Sequence, residues 1–226
     1  MTVPDQSSPT RDPLRIDFVS DVSCPWCAVG LKSLEQAIAR VGDEVDVELH
    51  FQPFELNPQM PPQGEDATEH LVAKYGSTAE QLARNREAIR ARGAELGFVF
   101  NTRDRIYNTF DAHRLLHWAA LEGREQELRL KHALLEAYFT DGLDVSSREV
   151  LAGIAEKVGM DRARAKSILA SDEFVQDVRD QERLYLDRGI HSVPAVIINE
   201  RQLISGGQPV ELFESALRRI AAQPAS

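Results

Sequence analysis

Apolar residues change their spacing several times along this chain, and each change marks an element. Leu14, Ile16 and Phe18 alternate with Arg15 and Asp17, the period-two pattern of a strand. Val29, Leu34, Ala37, Ile38 and Val41 then recur at helical spacing, and Gly42 supplies a stop. Val45, Val47, Leu49 and Phe51 alternate with Asp46, Glu48, His50 and Gln52, which predicts a second strand. The chain therefore opens as strand, helix, strand.

Gln52 to Asp66 is rich in proline and reads as a connector. From there to about Gly189 the pattern is almost entirely helical. Thr78 with Gln81, and Ser146 with Glu149, have the spacing of capping boxes that start helices. Leu134, Leu135, Tyr138 and Phe139 line one helical face, Val150, Ile154 and Val158 another, and Ser171 is expected to begin a last long helix ending at Gly189. IHSVPAVIINERQLISGG then predicts two strands joined by a turn at Asn199 and Glu200, and a closing helix runs from about Pro209 to Ala221. Without the helical block the order is β-α-β-α-β-β-α, the layout of a thioredoxin-type domain. The expected class is α/β, a thioredoxin-like fold with a large all-helical insertion. Residues 14–60 and 186–222 would form the discontinuous thioredoxin-like domain, and residues 61–185 the inserted helical domain.

Composition narrows the function classes. The 226 residues suffice for one large domain or a domain carrying an insertion. A formal net charge of -10 argues against nucleic acid and anionic membranes as partners, because both would be repelled. Mean hydropathy is -0.33, and no run approaches the ~20 apolar residues of a membrane helix. The start, MTVPDQSSPTRDP, lacks the apolar stretch of a signal peptide. The expected location is the cytoplasm, where thiols stay reduced and structural disulfides are rare.

That location sharpens the question posed by the chain's two cysteines, Cys24 and Cys27, in SDVSCPWCAVG. A structural zinc site needs four ligands, and only one such pair exists. His113 and His117, four apart on one helix, could supply two more ligands, or they sit on a partly buried helical face. Redox chemistry accounts better for the position at a strand-to-helix junction. Unpaired N–H groups and the helix dipole favour a thiolate there, by up to ~2 kcal/mol. Cys24, at the tip, is expected to be the exposed nucleophile, and Cys27, one turn in, the shielded thiol that resolves a mixed disulfide. Pro25 fits the first helical turn, where a missing N–H costs nothing. Trp26 is either an aromatic face for an apolar client or a core residue. Pro194 opens a strand, where it cannot donate to the ladder. Since ~5–6% of X–Pro bonds are cis, it carries little on its own.

CPWC at a strand-to-helix junction, SVPAVII before a hairpin and SGGQP opening the last helix, joined by FQPFELNP and NTFDAHRLLHWA, resemble one family. It is the DsbA-like thioredoxin superfamily, in its cytoplasmic FrnE-type branch, related to the 2-hydroxychromene-2-carboxylate isomerases. The resemblance runs from Leu14 to about Ile220. It implies a thioredoxin fold interrupted by a helical domain, and thiol–disulfide oxidoreductase activity. By the same resemblance Cys24 is the nucleophile, Cys27 the resolving cysteine and Pro194 a cis-proline facing them. Val193 would present its backbone to an extended client, and Asn108 and His113 match polar positions bordering the cleft. The aspartate that thioredoxin carries six positions before its first cysteine is Phe18 here, while the nearer Asp21 reads as a helix cap. The implied client is a protein or small molecule bearing a thiol or disulfide, with glutathione as a candidate co-substrate and no metal or other cofactor. Two alternatives stand beside this. A glutathione-dependent isomerase or transferase acting on an aromatic small molecule would share the fold, but such relatives carry serine at the nucleophile position. A non-catalytic redox switch or metal-binding module would leave the HSVP and GGQP segments without a purpose.

Overall fold

The computed structural model describes residues 13–223. Strand β1 (Leu14–Ser20) lies parallel to β2 (Val47–Pro53), with Ile16 opposite Leu49 and Phe18 opposite Phe51. A parallel pair needs a crossover, and helix α1 (Pro25–Val41) provides it. On its other side β1 pairs antiparallel with β5 (Ala195–Ile198), which pairs antiparallel with β6 (Gln202–Ser205), giving the order β2-β1-β5-β6. The β5–β6 turn is tight. Asn199 and Glu200 take φ values of 49° and 56°, and Arg201 N–H closes the turn on the Ile198 carbonyl at 3.1 Å. Two successive positive φ values suit the twist of the paired strands.

Both faces of the sheet are covered. Ile16, Phe18, Val196 and Ile198 are buried with Leu31 and Leu34 of α1 and with Phe213 and Leu217 of α9 (Val210–Ala221). Val19, Ala195 and Ile197 point the other way, onto Tyr185 of α8 (Val175–Asp187) and Ile190. The alternation in β1 predicts a half-buried strand; as a central strand it is buried on both faces. Asp17 is consequently only 1% exposed, and its carboxylate accepts from Arg15 Nη2 and Gln52 Nε2, each at 2.8 Å.

Between the halves of the sheet lie α2 (Ala67–Tyr75), α3 (Ala79–Glu95), α4 (Phe110–Glu122), α5 (Arg124–Phe139), α6 (Arg148–Lys157), α7 (Arg162–Leu169) and α8. A short antiparallel ribbon of β3 (Glu65–Asp66) and β4 (Arg105–Ile106), which periodicity did not predict, ties the start of the block to its middle. One apolar cluster runs without a break from Ile16 and Leu31 to Leu115, Leu130, Leu134 and Ile168. The Thr78–Gln81 capping box forms as expected. Two other helix starts move. Ser147, not Ser146, caps α6 by accepting from Val150 N–H, because Ser146 is held by Asp144. Ser171 does not begin the last long helix. The buried Arg114 draws in the carbonyls of Ile168, Ser171 and Glu173, so the chain breaks after Leu169, and α8 starts at Val175 behind Phe174 at φ 62°. Among the described residues no helix is long and apolar enough to cross a membrane.

Candidate active site

Cys24 sits at the N-cap of α1 with extended dihedrals, and its sulfur accepts the N–H of Cys27 at 3.3 Å. Pro25 follows in the first turn, and the carbonyl of Cys24 accepts from Cys27 and Ala28 at 3.1 and 3.3 Å. The two cysteines approach to 3.0 Å and both are free. Cys24 departs from expectation in one respect: it is not openly exposed. Only 4% of its surface is accessible, against 0% for Cys27. Its sulfur is covered by the chain entering β5, where Sγ–H donates to the Val193 carbonyl at 3.7 Å. The asymmetry between the thiols survives, since Cys24 reaches the cleft and Cys27 does not. Burial, and then the hydrogen bond and charge of Cys24, hold the Cys27 thiol well above the ordinary thiol range.

The Val193–Pro194 peptide is cis. The Pro194 ring lies over Gly30, one turn into α1, where an added Cβ would stand 3.1 Å from the ring. The SGGQP segment closes the arrangement. Gly206, at φ 82°, donates its N–H to the Pro194 carbonyl at 2.8 Å. Gly207 lies so close to α1 that a Cβ there would meet the Trp26 carbonyl oxygen at 2.9 Å. Three segments distant in sequence thus meet at one helix tip.

Cys24, Pro25, Trp26 and Val193 share a cleft of about 810 Å³, walled opposite by α2, α3 and the 100–106 segment. Trp26 is 36% exposed, which settles its two readings in favour of a cleft wall. Asn108 and His113, expected to border this cleft, do not. Asn108 is occupied in the approach to α4, its Oδ1 accepting from Phe110 N–H at 2.9 Å and its amide donating to Glu55. His113 is 3% exposed and puts Nε2 3.5 Å from Asp21 Oδ1. His117 instead rests its ring against Phe174, 5.0 Å away.

Asp21 is not the helix cap, a place taken by the Cys24 sulfur. Its carboxylate accepts from Leu56 N–H at 2.7 Å, from the Ser23 hydroxyl at 3.0 Å and from Ser23 N–H at 3.2 Å. Burial pushes this carboxyl up, but the neighbouring His113 imidazole and the Leu56 N–H together bring it below its usual range. Asp21 therefore ties the loop before Cys24 to the segment after β2 and to α4.

Behind β2 lies a second, narrower cavity of about 180 Å³, lined among others by His50, Gln52, His113, Glu127 and Lys131. Lys131 is 1% exposed and has no hydrogen-bond partner among the described residues; its Nζ stands 5.6 Å from the Phe51 ring centre. Burial holds its ammonium below the ordinary lysine range, opposed first by Cys27 and then by Asp21 and Glu127. Glu127 accepts from Phe51 N–H at 3.3 Å, and burial raises its carboxyl to about 7. Periodicity did not single out these two residues. Four apart on one helix, they look like a solvent-exposed ion pair, and only the packing of α5 on β2 encloses them.

This is the architecture of a thioredoxin-fold protein with its cysteine pair at a helix tip and a cis-proline beside it. The chain belongs to the DSBA-like thioredoxin domain family, whose family model matches residues 15–218. It is 32% identical to a probable DsbA oxidoreductase from Streptomyces coelicolor, superposing with a TM-score of 0.88 over 94% of this chain and 92% of that one. It is also 29% identical over 206 residues to the uncharacterized protein YwbO of Bacillus subtilis, covering 90% of this chain and 96% of that protein. The cytosolic disulfide reductase DsbM of Pseudomonas aeruginosa, solved with glutathione, shares the fold at 17% identity and a TM-score of 0.62, over 92% of this chain and all of that one.

Proposed function

We propose that the protein is a cytoplasmic thiol–disulfide oxidoreductase working through a mixed disulfide at Cys24. The Cys24 thiolate attacks one sulfur of a client disulfide, and the other client sulfur leaves as a thiolate. Cys27, losing its proton, attacks the Cys24 sulfur, frees the second client thiol and closes the Cys24–Cys27 disulfide. Two electrons pass to the client, and the reverse sequence oxidises a client dithiol. Clients on this reading are proteins or small molecules bearing thiols or disulfides, with glutathione a candidate co-substrate. Family membership supports the chemistry, as does the likeness to the probable DsbA oxidoreductase of Streptomyces coelicolor.

The observation that carries the reading is the inequality of the two sulfurs. Cys24 borders the cleft and its sulfur accepts a helix N–H, whereas Cys27 is wholly buried. Trapping tests it. Cys27→Ser should accumulate a mixed disulfide at Cys24 with bis(2-hydroxyethyl) disulfide, because the internal exit is gone, and Cys24→Ser should accumulate none. Limiting iodoacetamide on the reduced protein should label Cys24 first. Full turnover in both serine variants, or preferential labelling of Cys27, would sink the assignment.

A further inference from the structure

The wall facing Cys24 carries more positive charge than this acidic protein needs there. Three cations of that wall have no carboxylate partner among the described residues: Lys74 of α2, Arg86 of α3, and Arg103 between α3 and β4. Glu87 is the one carboxylate among the residues lining the cleft, and Arg90 already stands 3.8 Å from it. The cleft therefore holds an excess of three positive charges within a chain of net charge -10.

Neutral groups hold each of these cations in place. Arg103 is clamped, its guanidinium 5.0 and 4.7 Å from the ring centres of Tyr138 and Phe139 and its Nε donating to the Tyr138 hydroxyl at 3.0 Å. Its two terminal amino groups have no partner among the described residues, which leaves the fork that grips a carboxylate free. Arg86 spends Nη2 on the Thr68 hydroxyl at 2.9 Å. Lys74 donates to the Leu56 carbonyl and to Asn57 Oδ1 at 2.6 and 2.7 Å. Ordered cations turned toward one hollow, with neutral rather than acidic neighbours, suit an anion that arrives from outside.

The geometry points to a low-molecular-weight thiol or disulfide carrying carboxylates as the compound held in this cleft, its sulfur at Cys24 and its carboxylates on Arg103, Arg86 and Lys74. The division of labour follows the fold: the thioredoxin elements supply the sulfur, and the helical block supplies the charge. A volume of about 810 Å³ lies in the ~300–1,000 Å³ range of small-ligand pockets, which favours a small molecule over a protein surface. This deepens the thiol–disulfide reading and rests on it.

Binding to the full chain carrying Cys24→Ser and Cys27→Ser, which has no redox chemistry, tests the inference separately from the reaction. Calorimetry with 3,3′-dithiodipropionate (a dianion), glutathione disulfide, neutral bis(2-hydroxyethyl) disulfide and cystamine (a dication) should rank both anions about tenfold or more above the neutral compound. Cystamine should bind weakest. The advantage should shrink in 0.5 M salt, and should fall about tenfold when Arg86→Gln and Arg103→Gln are added. Equal affinities across the series, or an anion advantage that survives both arginine changes, would overturn the inference. So would failure of every small disulfide where an acidic cysteine-containing peptide binds. Failure of the redox reading is seen elsewhere, in the trapping experiment with its uncharged disulfide.

Discussion

Two hollows lie near the cysteine pair, and they treat charge in opposite ways. The wide cleft in front of Cys24 leaves Lys74, Arg86 and Arg103 without carboxylate partners, where solvent carries the cost of their charge. The narrow cavity behind β2 holds His113, Glu127 and Lys131, all but excluded from solvent. There burial pulls the carboxyl of Glu127 up to about 7 and the ammonium of Lys131 down, each toward its neutral form. A solvated cation can wait for a ligand, but an enclosed charge must find a partner or give up its charge. On the reading proposed above, the front of the site recognises a charged ligand, while behind it His113 packs against Asp21, which ties the loop before Cys24 to Leu56. Three substitutions probe that contrast.

The largest effect is expected at Asp21. Asp21→Ala leaves Leu56 N–H and Ser23 N–H without their acceptor in a buried place and removes the partner of His113. The expected loss is ~3–5 kcal/mol, the scale for breaking a buried polar pair. Urea unfolding at pH 7 reads it, and a loss under 1 kcal/mol would make Asp21 a bystander. Because its folded carboxyl lies below the usual range, its contribution is present above the unfolded-state value near 3.8 and disappears as the pH falls through the folded value.

Glu127 should show the opposite sign. Its carboxyl titrates at about 7 in the fold against a reference of 4.5, so its contribution to stability is full below 4.5 and is lost as the pH rises toward 7. Glu127→Gln keeps an oxygen for Phe51 N–H and removes the buried charge. It should stabilise the protein by up to ~3 kcal/mol at pH 8 and by almost nothing at pH 4. Thermal melts at the two pH values compare directly, and an equal shift at both would contradict the enclosed-carboxylate account.

A smaller effect belongs to the front of the site. Gly207→Ala places a methyl 2.9 Å from the Trp26 carbonyl oxygen and 3.4 Å from Gly30 N, so the α1 tip or the SGG turn has to yield. Overpacking of this kind costs ~1–3 kcal/mol. Turnover should fall more than stability does, since the displaced atoms carry Pro25 and Trp26. Unchanged turnover alongside an unchanged melting temperature would mean that the close approach has no role.

Local pattern alone was enough for much of this protein. Strand alternation, the Gly42 stop, the Asn199–Glu200 turn and the Thr78 capping box are written in neighbouring residues, because they depend on side-chain periodicity and on backbone preferences within a few positions. The cysteine pair was legible for the same reason: a Cys-Pro-Trp-Cys run at a helix start brings its own N-cap and first turn. Tertiary structure decided what depends on residues that meet from afar. It covered Cys24 with Val193, 169 positions away, and brought Gly207 onto Trp26. It took His113 out of the cleft and placed it against Asp21, and it turned Glu127 and Lys131 from an ordinary helical pair into an enclosed one. It also gathered the unpaired cations of α2, α3 and the following segment opposite the sulfur. Periodicity reports which face of an element is apolar, but the partner of a buried or clustered charge is chosen by packing between elements, which no local spacing encodes.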